Sequence, residues 1–253
     1  MARTVVWYSC GAASAVAAKM TLVDTPDASI TYCATRSEHP DNERFTQDCQ
    51  RWFNRGVTRL SSVEYQDTWH VWEERKYLAG IHGAPCTTAL KVEPRLIWQN
   101  PSDIHVFGYT ADKRDVTRAQ ELRDNYPEMQ IRTPLIAAKL TKANTLALVQ
   151  GAGIRLPRMY EIGFHNNNCI PCVKATSPNY WALVRQEFPA EFQRMVALSR
   201  KLNVRLTRIK GVRCFIDEIP LDWPTTNPIQ PACDFLCSQI AQDFEPHDAE
   251  AAE

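Results

Sequence analysis

Thr4-Val5-Val6-Trp7-Tyr8-Ser9-Cys10-Gly11-Ala12-Ala13-Ser14 sets a β-prone run against a loop of small residues. The Ala-rich stretch Ala15 to Leu22 that follows has helical propensity. A strand that turns tightly into a helix points the first helical N–H groups into the loop, where the helix dipole favours an anion. Ser9 and Ser14 add hydroxyl donors, with Cys10 and Gly11 between them. The pattern predicts a phosphate or sulfate cradle at the carboxyl end of the first strand, where open α/β sheets bind ligands. With one Gly and no Lys-Ser/Thr it is neither a Walker A loop nor GxGxxG, and a plain tight βα turn is the alternative.

Outward from this loop, Ile30 to Cys33, Val63 to Tyr65 and Ile104 to Tyr109 read as further strands. Asp41 to Phe53, Val71 to Leu78 and Arg114 to Tyr126 read as the helices between them. Alternating strands and helices predict an α/β fold with a mostly parallel sheet and helices on both faces. The texture changes after Pro134. Thr141 is a plausible N-cap for a helix to Gln150, and Asn179 to Gln186 and Pro189 to Lys201 are helical. The expected organisation is a nucleotide-type domain over residues 1–150, a helical Cys-bearing region over 151–242, and a disordered acidic tail over 243–253.

The chain has 253 residues, with 29 Lys+Arg against 29 Asp+Glu. Zero net charge argues against a wholesale nucleic-acid coat or a polybasic membrane anchor. No apolar run approaches the roughly 18 residues a membrane span needs, and the N-terminus lacks a signal-peptide apolar region. A cytoplasmic protein with no membrane partner is expected.

Nine cysteines in a chain of this kind suggest metal or catalytic thiols before disulfides. Cys169-Ile170-Pro171-Cys172, in an Asn-rich loop, is a CxxC turn suited to a metal edge. Two thiolates do not complete a four-coordinate site. Cys86, which follows Pro85 in a polar loop, and the C-x3-C pair Cys233/Cys237 are the candidate partners. Cys33, Cys49 and Cys214 sit in apolar contexts and read as core. Polar groups follow the strands at Glu38, Asp41, Lys91 and Arg114, and some of them are expected to face the same crevice as the loop. Arg194, Arg200, Lys201, Arg205, Arg208, Lys210 and Arg213 form a basic stretch that could track a phosphate backbone or merely be solvated.

Tyr8 to Ala15 resembles the PP-loop of the adenine-nucleotide α-hydrolase-like superfamily. Together with Glu38-His39-Pro40-Asp41, Pro85-Cys86-Thr87 with Leu90-Lys91-Val92, and the Cys169 to Cys172 turn, it resembles the phosphoadenosine-phosphosulfate (PAPS) reductase family, in its small bacterial and phage members. The likeness spans roughly residues 3–185. It departs at Cys10 and Ala13, where ATP pyrophosphatases have Gly and Asp. It departs again at Thr87, where cluster-bearing members have a second Cys, and at the C-terminus, where Cys233 and Cys237 lack the family's following His.

The resemblance implies an adenine nucleotide (ATP, PAPS or adenylylsulfate) on Ser9, Cys10, Gly11, Ser14, Glu38, Asp41, Lys91 and Arg114. It also implies a [4Fe-4S] cluster, with zinc as the alternative, on Cys86, Cys169 and Cys172, with Cys233 or Cys237 as fourth ligand and the other as reactive thiol. The activity it implies is sulfur transfer on the nucleotide or an adenylated substrate, extending to thiolation of tRNA or another nucleic acid. The alternatives are a sulfonucleotide reductase using Cys233 or Cys237 as nucleophile, and a non-enzymatic zinc-stapled nucleotide- or nucleic-acid-binding module. A homodimer is compatible with all three.

Overall fold

The computed structural model describes residues 2–80, 83–233 and 235–244. Its centre is a five-stranded, wholly parallel sheet of β1 (Thr4–Tyr8), β2 (Ser29–Cys33), β3 (Val57–Leu60), β4 (Ile104–Phe107) and β5 (Gln130–Arg132), in the order β3-β2-β1-β4-β5. Every residue of β1 is buried, as expected of a central parallel strand covered on both faces. The chain builds outward from β1 to β3, then returns to add β4 and β5 on the other side. The carboxyl ends of β1 and β4 therefore diverge at a topological switch point.

The α1 helix (Ala12–Asp24) buries Ala12, Ala15, Ala17 and Ala18, whose small side chains let it lie close to the sheet. Its neighbours are α2 (Asn42–Phe53) and α6 (Lys142–Gly151). The remaining helices of the first half are α3 (Thr68–Arg75), α4 (Glu93–Trp98) and α5 (Lys113–Asn125). A helical turn at Pro85–Thr87 and a π-helical turn at Thr88–Val92 lead into α4. Beyond α6 come α7 (Pro178–Glu187), α8 (Pro189–Lys201), the hairpin β6 (Thr207–Ile209) and β7 (Val212–Cys214), and α9 (Phe235–Asp243). No helix among the described residues is long and apolar enough to cross a membrane.

Local signals explain most helix ends. Thr141 and Asn144 form a reciprocal capping box at the start of α6. Asp67 caps α3 by accepting from the His70 amide at 2.8 Å. The helix begins three residues before Val71, the start that apolar spacing predicts, because the Asp67 cap lies upstream of the apolar run. The third strand is also corrected. It is Val57–Leu60, not Val63 to Tyr65, because the earlier segment aligns with β2 from Ile30–Val57 to Cys33–Leu60. The Ser62 hydroxyl then accepts from the Glu64 and Tyr65 amides and turns the chain, leaving Val63 fully exposed.

Three apolar clusters lie among the described residues; a small one joins Tyr65, Val71, Ala89 and Leu90, and neither of the two larger ones stops at residue 150. The sheet, α1 and α6 share one core with Leu156, Tyr160 and Cys237. Trp69, Trp72 and Leu78, from the first half, pack instead with Phe164, Trp181, Met195 and Ile216. The helical region is thus joined to α3 as well as to its own helices. Of the expected acidic tail, residues 245–253 lie outside the described residues.

Gly108, just past β4, closes the switch point. A Cβ there would stand 2.7 Å from the Ser14 Cα and 2.8 Å from the Ser14 amide nitrogen, both backbone atoms that cannot rotate away. Gly108→Ala is expected to cost about 1–3 kcal/mol of stability, as overpacking does. Chemical denaturation measures it, and an unchanged midpoint would mean that β4 and α1 are not held this closely.

Candidate nucleotide cleft and its thiols

The loop after β1 has the expected hydroxyl-rich form but uses much of it internally. The Ser14 hydroxyl accepts from the Ser9 amide at 3.0 Å, donates to the Gly11 carbonyl at 2.9 Å, and lies 3.1 Å from the Ser9 hydroxyl. Cys10 takes a left-handed conformation at φ 56°, which turns its side chain inward. Its Sγ lies 3.3 Å from the Thr46 hydroxyl, and burial pushes the thiol up to about 11. Cys10 is thus a core thiol beneath the loop. Asn167 donates to its carbonyl at 2.6 Å and ties the CxxC-bearing loop to this turn.

A cleft of about 420 Å³ opens over the loop, within the usual range for small-molecule sites. Ser9, Gly11 and Ser14 line it, with Trp7, Tyr32, Phe107 and Tyr109 as aromatic wall. Tyr160 comes in from the segment after α6. A Cβ on Gly11 would lie 3.0 Å from the Tyr160 hydroxyl, so the absent side chain is what lets this phenol reach the start of α1. Burial pushes the Tyr160 hydroxyl up to about 12, against the pull of the Ala12 and Asn167 amides. Sequence reading missed Tyr160, since nothing local marks a tyrosine in the short helical turn Arg158–Glu161, nine residues past the end of α6.

Charge in the cleft is one-sided. Lys91, Arg95, Arg118, Lys142 and Lys174 line it, with Asp115 as the one acidic lining residue among the described residues. Arg118 pairs with that carboxylate at 2.9 Å. The other four cations face a cavity in a chain of zero net charge. Lys142, the first residue of α6, donates to the Asn166 side chain at 2.6 Å, and burial lowers its ammonium to about 8.

The expected polar residues scatter. Lys91 lines the cleft. Arg114 is exposed and does not, whereas Asp115 and Arg118 of the same helix do. Glu38 lines a separate hollow of about 210 Å³ with Cys10, His39 and Asn42. Asp41 is a structural hub. It accepts two bonds from Arg44 at 2.9 and 2.7 Å, one from Arg155 at 3.2 Å and one from the Arg158 amide at 2.9 Å. It thereby joins α2 to the segment after α6.

Four thiols surround Lys91. Cys33 donates to the Lys91 carbonyl at 3.6 Å, and Cys33 itself lines the cleft. Burial pulls the Lys91 ammonium down, but Cys169, Glu38, Cys172 and Cys33 outweigh it and hold the group protonated above its ordinary value. Cys169 lies 3.0 Å from the Thr35 hydroxyl, and burial pushes its thiol up to about 12 against the pull of Lys91. Burial raises Cys86 as well, with Cys172 adding to it. Cys33, read from sequence as core, belongs to this corner because β2 ends there.

Cys233 and Cys237 are elsewhere. They are bonded to each other as a disulfide, with Cys237 buried against the Asn144 carbonyl of α6. Among the described residues, no three of His, Cys, Asp or Glu close on a common point as metal ligands do. A lysine ammonium shares the space of Cys169 and Cys172, and the expected fourth ligand is engaged on α6. Among the described residues, the expected set of Cys86, Cys169, Cys172 and Cys233 or Cys237 is not assembled as a metal centre.

Among the described residues, two of the seven cations in the basic stretch are held in ion pairs. Arg194 pairs with Glu73 at 2.8 Å, and Arg200 with Asp217 at 3.0 Å and Glu218 at 3.1 Å. Arg200 and Arg205 also lie over the Phe215 ring. Lys201, Arg208 and Lys210 are exposed.

Asp41 gives a testable sign. Hydrogen bonds from Arg44 hold its carboxyl below its usual value, more than offsetting its burial. Its contribution is therefore complete above the unfolded carboxyl pKa of about 3.9 and is lost as pH falls through the lower folded value. Asp41→Ala is expected to lower stability by about 1–3 kcal/mol at pH 7 and by progressively less below about pH 3.9. Denaturation midpoints of both proteins across pH 2–7 check it; a pH-independent gap would overturn it.

No protein-family model matches the chain, and no curated protein matches it either.

Proposed function

We propose that this chain binds an adenine-type nucleotide in the cleft and performs sulfur transfer on it or on an adenylated substrate. The observation that carries the reading is the set of four cations without an acidic lining partner over a loop–helix turn with an aromatic wall, at the switch point of a parallel sheet. The adenine part and the sulfur chemistry rest on the likeness to the PAPS reductase family. The thiols beside Lys91 support the sulfur part, since Cys33 lines the same cleft and Cys169 and Cys172 lie around the lysine that reaches it.

A sulfonucleotide reductase is the second reading, and the Cys233–Cys237 pair favours it. That pair packs on Asn144, two residues along α6 from Lys142 in the cleft wall. Reduced, it would hold the two electrons that release sulfite from a sulfonucleotide, ending as the disulfide seen here. Sulfite release from PAPS or adenylylsulfate by prereduced protein selects this reading; sulfur retained on a nucleotide or nucleic acid selects transfer.

Calorimetric titration with ATP and adenosine monophosphate tests the binding itself. Gly11→Val should abolish affinity while the melting profile stays cooperative, because the side chain would collide with Tyr160 and fill the loop mouth. Affinity in the wild type should also fall as pH rises through about 8, where Lys142 loses its proton, and should stay level in Lys142→Gln. Unaltered binding in Gly11→Val would remove the nucleotide from this cleft.

The thiol arrangement predicts purified protein without stoichiometric iron or zinc. Metal and acid-labile sulfide analysis after anaerobic purification checks this. A brown protein whose iron falls in Cys86→Ser would restore the cluster to the site.

A further inference from the structure

Arg95 is the most unusual charge in the molecule. It lies in α4 and is 7% exposed, yet neither its Nε nor its Nη2 has a hydrogen-bond partner, and it enters no ion pair among the described residues. Its guanidinium stacks over the Tyr126 ring at 5.0 Å, which orients the plane without satisfying its donors. A buried guanidinium with unmet donors is costly, because its lost hydration is not replaced. The side chain nevertheless lines the cleft. Arg is also the residue whose flat fork of donors matches phosphate, sulfate and carboxylate groups in pairs.

The wall that carries Arg95 is separate from the loop wall. At the loop, Ser9, Ser14, Tyr160 and Lys142 are mutually close, with the Lys142 ammonium 5.5 Å from the Tyr160 ring centre. Arg95 comes from α4, one turn beyond Lys91 in the preceding π-helical turn, and neither bonds to a loop residue. Arg95 is thus tied to no loop residue, and its donors stay open to a group other than the one the loop holds.

We propose that Arg95 anchors a second anion subsite, so that the ligand of this cleft carries a phosphate- or sulfate-class group on Arg95 in addition to the one on the Ser9–Ser14 loop. Arg95 then sets specificity by rejecting nucleotides with a single anionic group. The inference rests on the cleft being a nucleotide site, and the two can fail separately.

The test uses the full chain, wild type and Arg95→Met, with three probes. These are adenosine monophosphate with one anionic group, ATP with a contiguous chain, and adenosine 3′,5′-bisphosphate with two separated groups. Calorimetry is expected to give at least one of the last two an affinity about 10- to 100-fold above the monophosphate in the wild type. Arg95→Met should erase most of that margin, costing the favoured probe far more affinity than the monophosphate. The ligand-free variant should also melt a few degrees higher than wild type, because a thioether needs no partner in that pocket; this separates a ligand-seeking arginine from a structural one. Comparable affinity for all three probes in the wild type overturns the second subsite and leaves the nucleotide reading standing. An equal loss for every probe in Arg95→Met, or a lower melting temperature, makes Arg95 structural and overturns it too. No binding of any probe overturns the nucleotide reading and this proposal together.

Discussion

The approach of Gly108 to the first turn of α1 is the constraint on which the rest of the site depends. Backbone meets backbone there, with no room for a methyl group. That contact sets how far β4 stands from the β1 loop, and so the width of the crevice between them. The parallel sheet diverges at this place by topology alone, since its strands are added first on one side of β1 and then on the other. The glycine turns a general property of the fold into a cleft of particular size, closed at its mouth by Tyr160 across from Gly11.

Electrostatics in the molecule follow two regimes. Away from the cleft, several arginines are matched. Arg3 pairs with buried Asp103, Arg44 with Asp41 and Asp48, and Arg194 and Arg200 with acids on neighbouring elements. Exposed pairs of this kind add little stability but cancel the local field. Inside the cleft, among the described residues, Arg118 alone is in an ion pair. Lys142 is pulled down in pKa by burial and Arg95 keeps unmet donors. A chain of zero net charge that gathers several buried cations along one cleft has concentrated an attraction for anions there.

The cysteines divide the same way, by what surrounds them rather than by spacing. Cys10 and Cys49 are core thiols beneath the loop. Cys33, Cys86, Cys169 and Cys172 gather round a buried lysine at the cleft edge, and burial pushes up the thiols of Cys33, Cys86 and Cys169. Cys233 and Cys237 bond to each other on α6. Three chemical environments thus share one residue type: packing, a thiol–ammonium corner and a redox pair.

Sequence alone determined the α/β class, the strand–loop–helix at Tyr8 to Ser14, and the helices whose caps and apolar spacing are local, such as α6 behind Thr141 and α2 with Phe45 and Cys49 on one face. These features are decided within a dozen residues, by propensity, capping and periodicity. Tertiary structure decided what depends on partners far along the chain. The register of β2 chose Val57–Leu60 over Val63 to Tyr65 as third strand. The left-handed turn at Cys10 took its thiol out of the loop, and Asp41 became a hub because Arg155 and the Arg158 amide arrive from more than a hundred residues away. Cys33 joined Lys91, and Arg95 lost every acid that could have paired with it, for the same reason. Burial and proximity belong to the packed chain, and a residue's chemistry is set by them as much as by its side chain.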